Sequence, residues 1–399
     1  MIAILAHLSI VRRMDDTNPL QAIGGRIAAF RDARRITQAD LAKVINRDPS
    51  VVTKIEAGQR GINSYELALI ADALAVTMDE LLGRSRVTAP MKVAARIAQT
   101  RYPIELRGAI GRVRRLFELE ALLDRIAPGD KVSSPPDVAP SGRGSAVEQG
   151  AELALDVRKF LKLGDLPISD LPQLIEQKLG MDVAIEPLPT DIDGLCVQVE
   201  GSALAVANAG HLPGRRRFTL AHEVCHRLSG DAQELVVESM FAGSASPEKR
   251  ANAFAAHFLM PPTAIRQFIG KDPISAGIMA KIMLVFGVSL QAATWHLYNL
   301  RVISGNERLA YASQQPGSLF YRAGLWAEWQ AASKSLEIRR PPARLQERAL
   351  NAYTMGAIGI GPLADLFEAA DAEILREDLR QQGVVPPSLE PILVAPAGS

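Results

Sequence analysis

Cysteine occurs only twice in the 399 residues, at Cys196 and Cys225. Two cysteines exclude a disulfide framework and suit a reducing, cytoplasmic setting. No apolar run approaches the ~20 residues of a membrane span, so no membrane role is expected. The opening, MIAILAHLSIVRR, is apolar and then basic, the reverse of a secretory leader. It reads as a disordered or packed tail over 1–19, with Met14 as an alternative start. Charge of one sign is also missing: the net is +1. Nothing global therefore calls for nucleic acid or membrane, and any basic surface must be local. What remains is an ordinary globular composition, 48% hydrophobic and 22% charged, long enough for two to three domains.

Breaks divide the chain. GRSRVTAP (83–90) closes a compact helical segment over 20–83. A helical connector, 84–126, carries the densest positive charge in the chain, either as a solvated face or as a surface for DNA backbone or a partner. APGDKVSSPPDVAPSGRGSA (127–146) is rich in Pro, Gly and Ser and reads as a flexible linker. Residues 147–303 read as helices, a small sheet with a hairpin, then helices. Residues 304–399 are helical by period and suggest no function, with Trp326 and Trp329 lining a pocket or simply packing. The fold class expected is mainly α and multidomain.

The first segment divides into five short helices. Thr37 caps one, Asp48 before Pro49 starts the next, Gly58 stops it, and Ser64 and Thr77 are expected caps of the last two. Two short helices joined by a tight turn can present the second to a major groove. Its outward positions are Pro49, Ser50, Thr53 and Lys54, with Val52 and Ile55 inward. RRITQADLAKVINRDPSVVTKIEAGQR resembles the lambda-repressor-like XRE helix-turn-helix family. The resemblance implies a five-helix domain on double-stranded DNA, with Gln38 on phosphate and Pro49, Ser50, Thr53 and Lys54 towards base edges. Pro49 departs from the pattern by removing a donor at the helix tip. Residues 1–90 are only slightly positive, so a homodimer or help from 91–131 is needed to neutralise enough phosphates.

Histidine is scarce as well, with six in the chain, yet FTLAHEVCH (218–226) holds two of them four apart. On a helix, His222 and His226 project together and can share one metal. Glu223 sits about 100° round, where it reaches a water on that metal as a general base. A third donor is needed, and Glu234, Glu238, Glu248 and His257 follow. Glu248 and Asn252 share a face of the helix after Ser246-Pro247, a carboxylate with an amide placed to orient the site. His257 lies about 180° round from Glu248. Glu248 is therefore favoured.

RRRFTLAHEVCH followed by EKRANAFAAHFLMP is similar to the ImmA/IrrE family of zinc metallo-endopeptidases, over roughly 150–303. The resemblance implies an α+β zincin-like domain. It makes His222, His226 and Glu248 zinc ligands (with Mn2+ as an alternative ion in vivo) and Glu223 the catalytic base. It also implies a protein substrate, a helix-turn-helix repressor or the chain itself, in a stress- or phage-related response. Cys225 stands where glycine is common in the family, as a buried filler or a redox-sensitive thiol. A further oxyanion donor is sought among His211, Arg217, His296 and Tyr298. The expected protein is a DNA-binding regulator with a zinc peptidase domain. The alternative is a non-proteolytic repressor or antitoxin-like regulator whose zinc domain senses or scaffolds.

Overall fold

The computed structural model describes residues 19–33, 36–74, 76, 78–83, 94–95, 104–127, 136–199, 202–230, 236–238, 246–334 and 338–387. It is mostly helical and divides into two units, Met1–Lys92 and Val93–Ser399.

The first unit holds α1 (Pro19–Ala33), α2 (Gln38–Val44), α3 (Pro49–Glu56), α4 (Ser64–Ala73) and α5 (Met78–Leu82). Thr37 accepts from the Asp40 amide to cap α2, and Asp48 accepts from the Ser50 amide to cap α3. Asn46, with φ 51, turns the chain between them, a conformation asparagine tolerates better than most side chains. The cap of α4 is Asn63 rather than Ser64. Its side chain accepts from the Glu66 amide, and Glu66 reaches back to the Asn63 amide, a reciprocal box that serine one position later cannot make. The expected cap Thr77 lies outside the described residues. Val52 and Ile55 of α3 pack with Ile27, Leu41, Ile70, Leu74 and Leu81 in one apolar core.

The second unit contains β1 (Ala94–Ala95), α6 (Ile104–Ile126), α7 (Ala146–Phe160), α8 (Leu171–Lys178), β2 (Asp182–Glu186), β3 (Gly194–Val199) and β4 (Ser202–Asn208). It continues with α9 (Pro213–Ser229), β5 (Val236–Glu238), α10 (Ser246–Leu259), α11 (Pro262–Ile269), α12 (Ala276–Phe286) and α13 (Leu290–Asn299). Last come α14 (Gly305–Ala312), α15 (Pro316–Arg322), α16 (Trp326–Lys334), α17 (Ala343–Thr354), α18 (Ile360–Phe367) and α19 (Ala372–Gln381). The sheet runs β1-β5-β3-β4-β2. β3 and β4 form the antiparallel hairpin, Gly194 opposite Ala207, and β2 lies parallel to β4. Among the described residues no single helix is long and apolar enough to cross a membrane. The bent α12–α13 pair passes that test only jointly, and its inward residues, including Met279, Ile282, Ala293 and Leu297, belong to the core.

Three segments differ from the sequence reading. The second half of the expected flexible linker is placed, with Val138 packed on the core and Ser145 capping α7. Two arginines of α6 face inward, Arg114 buried and Arg112 donating to the buried Glu186, while Arg115 and Arg125 stay exposed. Residues after 304 do not form a separate body, because Leu319 and Phe320 join the same core and Trp329 packs against it. Ile185 and Arg340 exchange backbone hydrogen bonds, and Arg339 grips the buried Glu186 with two nitrogens. Trp326 stays largely exposed beside Tyr321.

α7 lies close against α10. A Cβ on Gly150 would sit 2.2 Å from the Arg250 carbonyl oxygen, so the two backbones meet where only hydrogen fits. Gly150→Ala is expected to destabilise the second unit by about 1–3 kcal/mol, the usual cost of overpacking, measured by thermal melting of the full chain. An unchanged melting temperature would show that α10 is not held at this point.

Candidate metal centre and nucleic-acid face

The helix α9 begins with Pro213 at its first turn and ends at Gly230, which takes φ 70. Its middle is buried from every side. One flank packs on β4 and β3, another on α10. The burial reaches Glu223, which is 0% exposed, and leaves His222 and His226 at 4% each. Ionisable side chains tolerate such positions only when partnered or when they coordinate a metal.

The two imidazoles point the same way. Their Nε2 atoms lie 3.0 Å apart. Glu248, in the first turn of α10, brings Oε2 to 3.4 Å from His222 Nε2 and 3.8 Å from His226 Nε2. One donor atom from each of the three falls within 4.8 Å of the others. A tetrahedral zinc with bonds of about 2.0–2.1 Å separates its donors by about 3.3 Å. The three observed spacings straddle that figure, so the residues fit the ion. The donor set also fits chemically, two borderline nitrogens and one carboxylate.

Asn252 stands one turn beyond Glu248, and its Oδ1 is 3.1 Å from His222 Nδ1. With Nε2 turned to the donor cluster, Nδ1 carries the proton and donates to Asn252. That bond fixes both the tautomer and the ring plane. Glu223 faces β3. A Cβ on Gly194 would come within 2.4 Å of Thr219 Cγ2 and 2.8 Å of the Val206 carbonyl oxygen, so only glycine lets β3 pass this close to α9, in the same place where Glu223 Oε1 lies in ordinary contact range. The role of Gly194 had no signal in the sequence, because it depends on a pairing between distant segments.

The remaining candidates are placed elsewhere. His257 stacks edge-on against His296, centroids 4.9 Å apart. His296 Nε2 donates to the Met260 carbonyl at 2.8 Å, and burial beside His257 pushes its pKa down to about 3. Arg217 donates to the carbonyls of Ile168 and Ser169. His211 lies 3.1 Å from Asp193. Tyr298 packs beside Trp295 at the surface. Three of the four oxyanion candidates are thus engaged in local structural contacts. Cys225 is buried, its Sγ 3.7 Å from Ser229 Oγ. Glu234 lies outside the described residues; Glu238 is on β5.

In the first unit, Pro49, Ser50, Thr53 and Lys54 are exposed along α3, while Val52 and Ile55 are buried. Gln38 is held internally: its Nε2 donates to Glu56 at 2.7 Å, and Thr53 Oγ1 donates to its Oε1 at 3.0 Å. Arg31 clamps the same Glu56 through two nitrogens. This chain of bonds fixes α2 against α3.

Residues 176–297 match the model of a peptidase family described as IrrE N-terminal-like domain, and residues 27–81 match a family described as Helix-turn-helix. No curated protein matches the chain. The first span contains His222, Glu223, His226, Glu248 and Asn252; the second contains α2 and α3. The chain therefore joins a helix-turn-helix unit to a metallopeptidase-like domain, the composition of a regulator with a protease-like part.

Removing the Asn252 amide should loosen the His222 ring. Asn252→Ala is expected to weaken zinc binding by about 10–100-fold, read by competition with a chromophoric chelator, while Asn252→Asp keeps most of the affinity. Equal affinities in wild type and Asn252→Ala would remove Asn252 from the site.

Proposed function

We propose that this protein is a cytoplasmic DNA-binding regulator whose second unit is a zinc metallo-endopeptidase, acting on a helix-turn-helix repressor or on the chain itself in a stress- or phage-related response. The observation that carries the reading is the convergence of His222, His226 and Glu248 beside the fully buried Glu223.

These three side chains would hold the ion. When bound, zinc supplies Lewis acidity: it lowers the pKa of water towards about 7 and favours negative charge on a peptide oxygen. The protein supplies the rest. Glu223 is the proton carrier: its carboxylate removes a proton from the attacking water and returns it to the leaving amine. Asn252 keeps the His222 imidazole in one tautomer. The apolar surroundings of α9 keep bulk water from the Glu223 carboxylate and strengthen its electrostatic influence.

The first unit is read as binding double-stranded DNA through α3, with Pro49, Ser50, Thr53 and Lys54 as the groove-facing positions. Gln38, bonded to Glu56 and Thr53, is read as contacting phosphate through its second amide N–H. Support comes from the exposure of these side chains and from the family match over 27–81. Short polar side chains at the helix tip offer few bidentate contacts, so affinity leans on phosphate charge and on a homodimer spanning two half-sites.

Two measurements test this. The full chain with stoichiometric zinc is incubated with candidate helix-turn-helix repressors and followed by intact mass. Cleavage by wild type and none by Glu223→Gln, with zinc retained by both, is the expected result. Zinc bound by both and cleavage by neither moves the reading to a non-proteolytic, zinc-stabilised regulator. For DNA, affinity of the full chain should fall steeply between 50 mM and 200 mM salt, by about 10³–10⁵-fold if 6–10 phosphates are contacted, and Lys54→Ala should flatten that dependence. Binding insensitive to salt would remove DNA as the partner of this face.

A further inference from the structure

A cavity of about 510 Å³ opens between α9, α10 and α13, lined by Phe218, Asn252, Ala253, His257, Gln291 and Trp295 among others. Its volume falls inside the ~300–1,000 Å³ of small-molecule sites and exceeds what one substrate side chain fills. Its walls are mainly apolar. Trp295 and Phe218 offer ring faces or edges, and Ala253, Ala256 and Ala292 keep the space clear. The cavity's polar groups come from Lys249, Asn252, His257, Gln291, His296 and Asn299. His257 Nδ1 is buried with no hydrogen-bond partner among the described residues, a state that costs free energy until a ligand group satisfies it. Burial lowers the pKa of both His257 and His296, so this wall is uncharged near neutral pH. Lys249, exposed and cationic, also lines the cavity and places the positive charge at its solvent side.

The cavity is wired to the metal donors by two of its own residues. Asn252, in the lining, is the residue whose Oδ1 holds His222 Nδ1. Phe218 lies one turn before His222 on the same face of α9. An occupant touching Asn252 and Phe218 therefore acts on the residue that orients the metal ligand.

We infer that this cavity is an effector site for a small aromatic anion, with rings against Trp295 and Phe218, a hydrogen-bonding group at His257 and its charge towards Lys249, and that its occupancy alters the hold on the metal. The inference rests on the reading of His222, His226 and Glu248 as metal donors. The effector would report a chemical state of the cell to the peptidase-like site without touching the scissile bond. Coupling between two binding sites is reciprocal: the factor by which the effector changes zinc affinity equals the factor by which zinc changes effector affinity.

The test uses the full chain and 1-anilinonaphthalene-8-sulfonate, a probe with fused rings, a donor N–H and an anion. Fluorescence titration of the zinc-free protein should show one saturable site. Ala253→Trp and, separately, Ala256→Trp fill the cavity and should weaken the probe at least tenfold while melting stays cooperative. His257→Phe, which keeps the shape and deletes the nitrogen, should weaken it less. Zinc should then shift the probe Kd by threefold or more, and the probe should shift the zinc Kd by the same factor. Saturable binding indifferent to both filling variants, or no saturable binding, overturns the site. Binding lost in the variants with zinc affinity unmoved by the probe overturns the coupling. Probe binding that behaves as expected in a protein that never takes zinc sinks the metal reading and leaves the cavity as a binding site.

Discussion

The bond from His222 to Asn252 joins the two helices that carry the candidate metal donors. Every feature of the candidate centre depends on the spacing of α9 and α10, and this contact bridges them within the site alongside Glu248 at His222 and His226. Two histidines on one helix can approach each other by helical geometry alone. The third donor comes from a segment more than twenty residues later, and its position is a tertiary matter. The amide of Asn252 makes the inter-helix distance and the imidazole orientation one variable.

That variable is clamped from behind. α10 lies against α7 so closely that Gly150 has no room for a methyl group. Arg158, also on α7, donates to the Phe258 carbonyl near the end of α10, and to the Gly164 and Leu166 carbonyls. With no carboxylate in that set, its desolvation is offset by three carbonyls, and burial lowers its pKa to about 10. Both contacts fix α10 along its length and not only at Glu248. A small displacement of α7 would therefore reach the His222–His226–Glu248 cluster through a rigid helix.

Much of this was legible in the sequence where the physics is local. The i, i+4 pairs His222/His226 and Glu248/Asn252 state their own geometry on any helix. Thr37 and Asp48 announce helix starts by their hydroxyl and carboxylate, and Val52 and Ile55 announce the inward face of α3. Asn63 was legible too, through Glu66 three residues on, although Ser64 beside it competes as a cap. What was not legible depends on segments far apart. Gly194 beside Glu223 follows from strand pairing. The cavity exists because α13 crosses near α10. Arg112 of α6 looks like part of a solvent face until β2 supplies Glu186. The bonds of Gln38 to Glu56 and Thr53 were not legible either, because nothing local places α2 against α3.

The grip of the last segment on β2 changes what its removal would mean. β2 is the outer strand on its side of the sheet, and Arg340 pairs its backbone with Ile185. The same short stretch brings Arg339 to Glu186, Arg340 to Glu176 and Arg344 to Asp182. Burial pushes the pKa of Glu186 and Asp182 upward even with these arginines present. A chain ending before 338 would lose its edge seal and three cationic counterparts together. It would expose an unpaired strand edge, the template for sticking to another copy, and strand carboxylates in an apolar layer. The tail is thus a stopper at the β2 edge, and shortening it would uncover that edge without touching His222, His226 or Glu248.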